Sequence, residues 1–257
     1  TVPARADVIV LVHGYLGNAN NWDTSGITGL LQRRGWQRAG VYLAGPGGIR
    51  AFPAPGIKAK HKFYAVDLPS EAPIQLQVFQ FDQILRTIRH AHNGEPLVLV
   101  GHSAGGVVAR TALVRGNVEN VKALITIASP HLGTVRAEQA LDATDIPFPF
   151  SIITDMVAGE TYDIAKRSRS LYVDLVRPRP GTLLYWLNAQ PHPDIAYYSI
   201  VRGETATGWG DVVVPAYSQD MNNVPALRGR ASLITVAGNH GLVSQDGSII
   251  LNLITDL

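Results

Sequence analysis

The chain has 257 residues, 46% of them hydrophobic and 16% charged, and this composition excludes an extensively disordered protein. A formal net charge of +2 is too small to indicate a nucleic-acid-binding protein. The absence of cysteine excludes disulfides and thiolate metal sites, and no apolar run reaches membrane-spanning length.

Short apolar runs bounded by glycine, proline or polar residues predict buried β-strands along most of the chain. They occupy residues 7–12, 62–68, 97–100, 123–128, 196–201 and 231–236, with a shorter run at 41–43. Apolar residues at helical spacing predict helices at 78–92, after Ser103 and at about 246–255. This alternation predicts an α/β fold with a mostly parallel central sheet covered by helices on both faces.

The alternation lapses after residue 131, which predicts a cap or lid insertion at about 132–195. Two helix-like pieces lie in it, around 134–142 and 180–188, and an apolar stretch separates them. That stretch contains four candidate substrate-contacting residues: Phe148, Phe150, Ile153 and Met156. They suit the lining of an acyl channel or a lid. A cap helix that buries its apolar face on the domain is the alternative. Residues 45–60, rich in glycine and proline, are predicted to be irregular.

A serine stands between the strand at 97–100 and the helix that follows, in the pentapeptide Gly101-His102-Ser103-Ala104-Gly105. Glycines two positions before and after the serine permit a tight turn with unusual backbone angles. Such a turn lifts the hydroxyl above the sheet, which is the geometry of a nucleophile elbow. An ordinary glycine-rich turn would have the same pattern, so the rest of the chain must supply a base and a carboxylate.

Functional side chains in a parallel sheet gather beyond the carboxyl ends of the strands, so the partners of Ser103 should follow later strands directly. His240 follows the strand at 231–236 and is predicted to be the base. His131 also follows a strand, but its Ser-Pro-His-Leu-Gly turn suits a substrate contact at the rim of the site. His102 is expected to point away from the serine.

The carboxylate is predicted to be Asp211, in the loop after the strand at 196–201. An oxyanion needs fixed donors, and the backbone N–H groups of Ala104 and Tyr15 are predicted to supply them. Two tryptophans, Trp22 and Trp209, fall in loops at the same predicted edge of the sheet. Together with Tyr15, they would make the mouth of the site aromatic and apolar.

The order of these features resembles α/β-hydrolases of the bacterial lipase and esterase group. The features are the His13-Gly14 turn, the Gly-His-Ser-Ala-Gly-Gly elbow, the Ser-Pro-His-Leu-Gly turn and the later Asp and His. The chain is also similar to lipase-like proteins that deacylate glycolipid anchors. The resemblance implies one α/β-hydrolase domain over residues 1–257 and a bacterial origin. It makes Ser103 the nucleophile, with Asp211 and His240 as its partners.

The expected function is that of a serine carboxylester hydrolase of the triacylglycerol lipase type, which cleaves apolar or lipidic esters through an acyl-enzyme. No cofactor is expected, and no acidic cluster indicates the structural calcium that some bacterial lipases hold. Beyond the substrate, transient contact with a lipid interface is the expected interaction. A thioesterase or acyltransferase with the same triad is the first alternative, and a non-catalytic binding protein is the second. Secreted and cytoplasmic locations both fit, and the oligomeric state is open.

Overall fold

The computed structural model describes residues 8–116, 120–145, 159–204 and 210–257. In these ranges an eight-stranded sheet has the order β3-β2-β4-β1-β5-β6-β7-β8. All neighbouring strands are parallel except β2 and β3. The strands are β1 (Val8–Val12), β2 (Gln37–Gly45), β3 (Gly48–Pro53), β4 (Lys62–Asp67), β5 (Leu97–His102), β6 (Val121–Ile127), β7 (Ala196–Gly203) and β8 (Ala231–Ala237). The predicted α/β class with a mostly parallel sheet is confirmed.

Helices cover both faces of this sheet. They are α1 (Asn21–Thr24), α2 (Ile27–Arg33), α3 (Ile74–Ala91), α4 (Ala104–Val114), α5 (Val135–Asp145), α6 (Gly159–Arg167), α7 (Arg169–Leu175), α8 (Leu183–Ala189), α9 (Ala216–Gln219) and α10 (Ser244–Thr255). Short 3₁₀ turns occupy Met221–Asn223 and Pro225–Leu227. Among the residues described, no helix has the length and apolar character needed to cross a membrane.

Alternate residues of the central strands feed two separate hydrophobic cores, as the two-residue period of a strand requires. Val8, Val10 and Val12 of β1 pack with α3, α4, α7 and α8. Ile9 and Leu11 pack with α1, α2 and α10 on the other face. Because both faces are covered, the strands read as continuous apolar runs.

Strand β5 lies in the middle of the sheet, between β1 and β6. Its register aligns Gly101 with Val12 and His102 with Ile127, so these strands end together. Strands β7 and β8 run in the same direction and end at the same edge. The chain segments that follow β1, β5, β7 and β8 therefore meet above one edge of the sheet.

The structure differs from the predicted elements in two places. Residues 48–53, predicted to be irregular, form β3, an exposed edge strand antiparallel to β2. An edge strand that buries little surface needs no apolar run, so its sequence carries no strand pattern. Helices α6 and α7 also lie between the two predicted helix-like pieces. Leu171 and Leu175 of α7 are buried in the core shared with α3 and α4.

Candidate active site

Ser103 occupies the sharp turn between β5 and α4, with φ 52° and ψ −129°. A positive φ is uncommon for a residue with a side chain and persists only where packing enforces it. The Ser103 N–H donates to the Ile127 carbonyl at 2.8 Å, which ties the turn to β6. Ser103 is 8% exposed, so little of it reaches solvent.

Two glycines of the elbow are required by close backbone contacts. A Cβ on Gly105 would lie 2.2 Å from the His13 carbonyl oxygen, and one on Gly101 would lie 2.5 Å from the Gly106 nitrogen. Neither backbone can move aside, because His13 follows β1 and Gly106 is part of α4. The Gly-x-Ser-x-Gly spacing is therefore a packing requirement of this turn.

His240 lies between Ser103 and Asp211 and forms hydrogen bonds with both. Its Nε2 is 2.8 Å from Ser103 Oγ, and its Nδ1 is 2.7 Å from Asp211 Oδ2. A carboxylate accepts hydrogen bonds, so the neutral imidazole carries its proton on Nδ1 and accepts the Ser103 hydroxyl at Nε2. The three side chains, which follow β5, β7 and β8, form one continuous hydrogen-bonded chain.

The Asp211 carboxylate is stabilised in its charged form. Burial raises the pKa of this carboxyl, but the hydrogen bond from His240 and the backbone N–H groups of Val214 and Val213 outweigh burial, so the pKa is lowered overall. Val213 and Val214 donate to Oδ1 at 2.8 and 2.9 Å. Gln219 Nε2 donates to Oδ2 at 3.0 Å. Asp211 is therefore an anion at neutral pH, fixed by four donors.

The turn after β1 passes directly against Ser103. A Cβ on Gly14 would lie 2.6 Å from Ser103 Cβ and 3.2 Å from its Oγ. His13 holds the turn, because its Nδ1 donates to the Gly14 carbonyl at 2.8 Å while its Nε2 accepts from the Leu68 N–H at 2.9 Å. Tyr15 is the next residue of this turn, and Ala104 follows Ser103 at the start of α4.

Two residues predicted to contact substrate lie in the interior instead. Trp22 lies on α1 and is fully buried in the core between α1, α2 and α10, because an indole among polar residues still gains most by leaving water. His131 is also fully buried, with its Nε2 3.1 Å from Thr126 Oγ1. Burial and the nearby positive charge of Arg110 keep its pKa well below the ordinary value. The other predicted contacts lie outside the described residues: Phe148, Phe150, Ile153, Met156 and Trp209.

Several residues that sequence reasoning missed surround His240. His102 was expected only to point away from Ser103. In the structure its side chain contacts the loop of His240, with Nε2 2.8 Å from the His240 carbonyl oxygen. Arg202 and Asp246 form a buried ion pair beside the same loop, with Arg202 Nη2 2.7 Å from Asp246 Oδ2. An arginine at the end of the apolar run at 196–201 was the one available signal, since a buried strand rarely tolerates an unpaired charge.

A family model described as the alpha/beta hydrolase fold matches residues 7–145, which is more than half of the chain. The chain belongs to the α/β-hydrolase fold family. The Ser103 turn and the turn after β1 both lie within the matched residues. A search of curated proteins gives no significant match.

Three solved structures resemble this one over nearly its whole length. The mature lipase BlEst2 of Bacillus licheniformis is 18% identical, with 99% of this chain and 92% of that chain covered and a TM-score of 0.62. The lin2722 product of Listeria innocua is 16% identical, with coverages of 91% and 85% and a TM-score of 0.59. RedJ, a thioesterase of Streptomyces coelicolor, is 15% identical, with coverages of 99% and 91% and a TM-score of 0.54. At identities this low, the structural similarity shows that the fold is shared and nothing further.

A pocket of about 270 Å³ lies beside the turn after β1, and its lining includes Gly14 and Gly241. Tyr15, Leu16, Asn21, His102 and Leu242 are among the residues that line it. Over the described ranges, no group of three or more histidine, aspartate or glutamate side chains is placed to hold a metal ion.

Proposed function

We propose that this α/β-hydrolase is a serine carboxylester hydrolase, with Ser103 as nucleophile, His240 as general base and Asp211 as the group that orients it. The observation that carries the proposal is the hydrogen-bonded chain from Ser103 Oγ through His240 to Asp211, with distances of 2.8 and 2.7 Å. A serine hydroxyl reacts near neutral pH only when such a base removes its proton. We also propose a single hydrolase domain with its cap at about 132–195.

In the first half-reaction, Ser103 Oγ attacks the ester carbonyl carbon while His240 Nε2 takes the hydroxyl proton. The tetrahedral intermediate collapses by breaking the bond to the alcohol oxygen, which receives that proton from His240. In the second half-reaction, water attacks the acyl-enzyme, with His240 again as the base, and the acid leaves as Ser103 is regenerated. Asp211 remains ionised throughout and stabilises the imidazolium that forms in each half.

The oxyanion donors in this proposal are the backbone N–H groups of Tyr15 and Ala104. The close approach of Gly14 to Ser103 supports this assignment, because a Cβ on Gly14 would lie 3.2 Å from Ser103 Oγ and Tyr15 is the next residue of the turn. Ala104 begins α4, where the backbone N–H groups have no helical acceptor and the helix dipole favours negative charge. Such a donor is worth about 3 to 4 kcal/mol of transition-state stabilisation.

An apolar substrate is favoured by the side chains next to the reacting groups in sequence. Leu16 follows Tyr15 and is 53% exposed, while Val212 follows Asp211 and is 58% exposed. Val243, in the loop after His240, is also exposed. Exposed apolar residues grouped at a reactive centre are typical of sites that bind apolar ligands. We therefore propose apolar or lipidic esters as substrates, with transient contact at a lipid interface.

The test is hydrolysis of p-nitrophenyl esters of graded chain length, together with labelling by an organophosphonate probe followed by mass spectrometry. We expect Ser103→Ala to lower kcat by about 10⁶-fold and to abolish labelling. Ser232→Ala is the matched control, because Ser232 is exposed on β8 away from the reacting groups. Ser232→Ala should retain wild-type ester hydrolysis and wild-type labelling. Unchanged turnover or labelling in Ser103→Ala would overturn the assignment of the nucleophile.

Matched oxygen and sulfur esters with the same acyl chain separate the proposed activity from its nearest alternative. A carboxylesterase should release the acid efficiently from the oxygen ester. A strong preference for the thioester would instead indicate a thioesterase, the activity for which RedJ is named. Transfer of the acyl group to an added alcohol or amine would indicate an acyltransferase. Absence of any labelling in the wild-type protein would favour a binding protein.

A further inference from the structure

Two consecutive carbonyl groups in the loop after β8 each receive a hydrogen bond from a side chain, one from an imidazole and the other from a guanidinium. The His240 carbonyl oxygen is 2.8 Å from His102 Nε2. The Gly241 carbonyl oxygen is 2.8 Å from Arg202 Nη2. Carbonyl oxygens only accept hydrogen bonds, so both contacts are donated by the side chains. The backbone that carries the His240 imidazole is therefore held at two adjacent points.

The protonation state of His102 suits this contact. Burial lowers the pKa of His102 to about 3, and the charges of His240 and Arg202 act in the same direction, so the ring is neutral at pH 7. Its single proton must lie on Nε2, since that atom donates to the His240 carbonyl. The two imidazole rings also lie 5.2 Å apart between centroids. His102 is thus a fixed neutral donor in contact with His240 through both ring and backbone.

Arg202 is itself fixed by charge. Its Nη1 and Nη2 donate to the two carboxylate oxygens of Asp246 at 2.8 and 2.7 Å, and both side chains are at most 1% exposed. Asp246 lies in the first turn of α10 and also accepts from the Val243 N–H at 2.9 Å. A bidentate arginine and carboxylate pair has a defined orientation, unlike a lysine contact. The loop from His240 to Val243 is consequently bound at both ends.

The same arginine is connected to Asp211. Gln219 Oε1 accepts from the Arg202 backbone N–H at 2.8 Å, and Gln219 Nε2 donates to Asp211 Oδ2 at 3.0 Å. Gln219 is 1% exposed, so these bonds do not compete with bulk water. The two residues that bond to the His240 ring, Ser103 and Asp211, are therefore each linked to a residue that bonds to its backbone loop. Ser103 follows His102 in the chain, and Asp211 is connected to Arg202 through Gln219.

We propose that His102 and Arg202 are positioning residues, which hold the His240 and Gly241 carbonyls and thereby set the imidazole between Ser103 and Asp211. We call the two hydrogen bonds, from His102 to the His240 carbonyl and from Arg202 to the Gly241 carbonyl, the carbonyl clamp. The proposal rests on the proposed function, since positioning matters only if His240 is the base. Because His102 directly precedes the nucleophile, the elbow carries both the reactive oxygen and the side chain that holds the base. Misplacement by about 1 Å can cost about 100-fold in rate.

The decisive variants are His102→Phe, which keeps a ring and removes the donor, and His102→Gln, whose amide N–H can reach the same carbonyl. We expect His102→Phe to lower kcat about 10- to 100-fold with KM changed less than twofold. His102→Gln should recover most of that loss. His90→Phe, at an exposed position near the end of α3, is the control and should behave as wild type. Equal losses in both His102 variants, or no loss in His102→Phe, would overturn the proposal.

A second measurement separates failure of the clamp from failure of the proposed function. The proton between His240 Nδ1 and Asp211 should give a far-downfield ¹H NMR signal in the wild-type protein, which does not depend on turnover. Loss or displacement of this signal in His102→Phe, with retention in His102→Gln and unchanged thermal unfolding, would support positioning. An unchanged signal in His102→Phe would overturn it. If the wild-type protein shows the signal but no labelling and no ester hydrolysis, the proposed function alone has failed.

Discussion

Arg202 and Arg110 are both fully buried, on opposite faces of the sheet, and their surroundings differ. Arg202 faces Asp246 in a bidentate ion pair. Arg110 donates through Nη2 to Asn188 Oδ1 at 2.6 Å, and its Nε and Nη1 have no hydrogen-bond partner among the described residues. Burial accordingly lowers the pKa of Arg110 to about 9.

The charge of each arginine lowers the pKa of nearby histidines, and for Arg202 the histidine is His102. The positive charge of Arg110 adds to burial in lowering the pKa of His131 and of His192, the latter to about 4. Around Arg202, the charge is balanced by a carboxylate and the whole group holds the loop of His240. A buried charge with its counter-charge can specify geometry, whereas one without it mainly costs desolvation energy. Of these two arginines, the one with a counter-charge is the one that contacts the loop of His240.

The largest expected effect comes from removing that compensation. Asp246→Asn leaves the Arg202 charge buried without a counter-charge, so we expect the free energy of unfolding to fall by about 3 to 5 kcal/mol. Urea denaturation at pH 7 measures this. The double variant Arg202→Met with Asp246→Leu should recover the free energy of unfolding. Its kcat should still be below that of the wild type, because the Gly241 carbonyl has lost its donor. A loss below about 1 kcal/mol in Asp246→Asn would make the two arginines equivalent.

An intermediate effect should come from acid. The pKa of His192 in the folded protein is about 4, below its ordinary value, so the unfolded chain binds the proton first as pH falls. Its contribution to stability is complete above about pH 6.5 and is lost as pH falls towards 4, at up to about 1.4 kcal/mol per pH unit. His192→Gln should reduce the pH slope of unfolding by about one proton near pH 5. The exposed control His90→Gln should leave it unchanged, and equal slopes in both variants would contradict this account.

The smallest effect is expected at Arg110 itself. Arg110→Met removes a charge that no described carboxylate balances, but it leaves Asn188 Oδ1 without its donor. These changes oppose each other, so the free energy of unfolding at pH 7 should stay within about 1 kcal/mol of wild type. The pKa of His192 should rise once the charge is gone, so acid sensitivity should weaken. A loss as large as that of Asp246→Asn would show that Arg110 is also compensated.

The strands that are buried on both faces, and the polar residues that follow them, could be predicted from the sequence. Strands β1, β5 and β6 are apolar runs because their whole length is covered, and Ser103, His240 and Asp211 could be selected because parallel strands end at one edge. Contacts that depend on loop conformation were not accessible. Nothing in the order of residues places His102 Nε2 on the His240 carbonyl.

Errors in the prediction have similar physical origins. Trp22 lies in an asparagine-rich segment that reads as a surface loop, yet its indole fills the core beside α2. Edge strand β3 buries too little to need an apolar pattern. Helices α6 and α7 were missed because their first residues are mainly polar. In each case long-range packing, which local periodicity does not encode, decided the outcome.

The hydrogen bond between Ser103 and His240 joins residues 137 positions apart in the chain. The contact of His102 with the His240 carbonyl spans 138 positions. Contacts of such large sequence separation form late, because the intervening chain must first lose its freedom. A chain in which only β1 to β6 had assembled would already contain the elbow and the first turn, but it would lack His240. Under the proposed function, recovery of Ser103 labelling during refolding should therefore report the arrival of the final strand and α10.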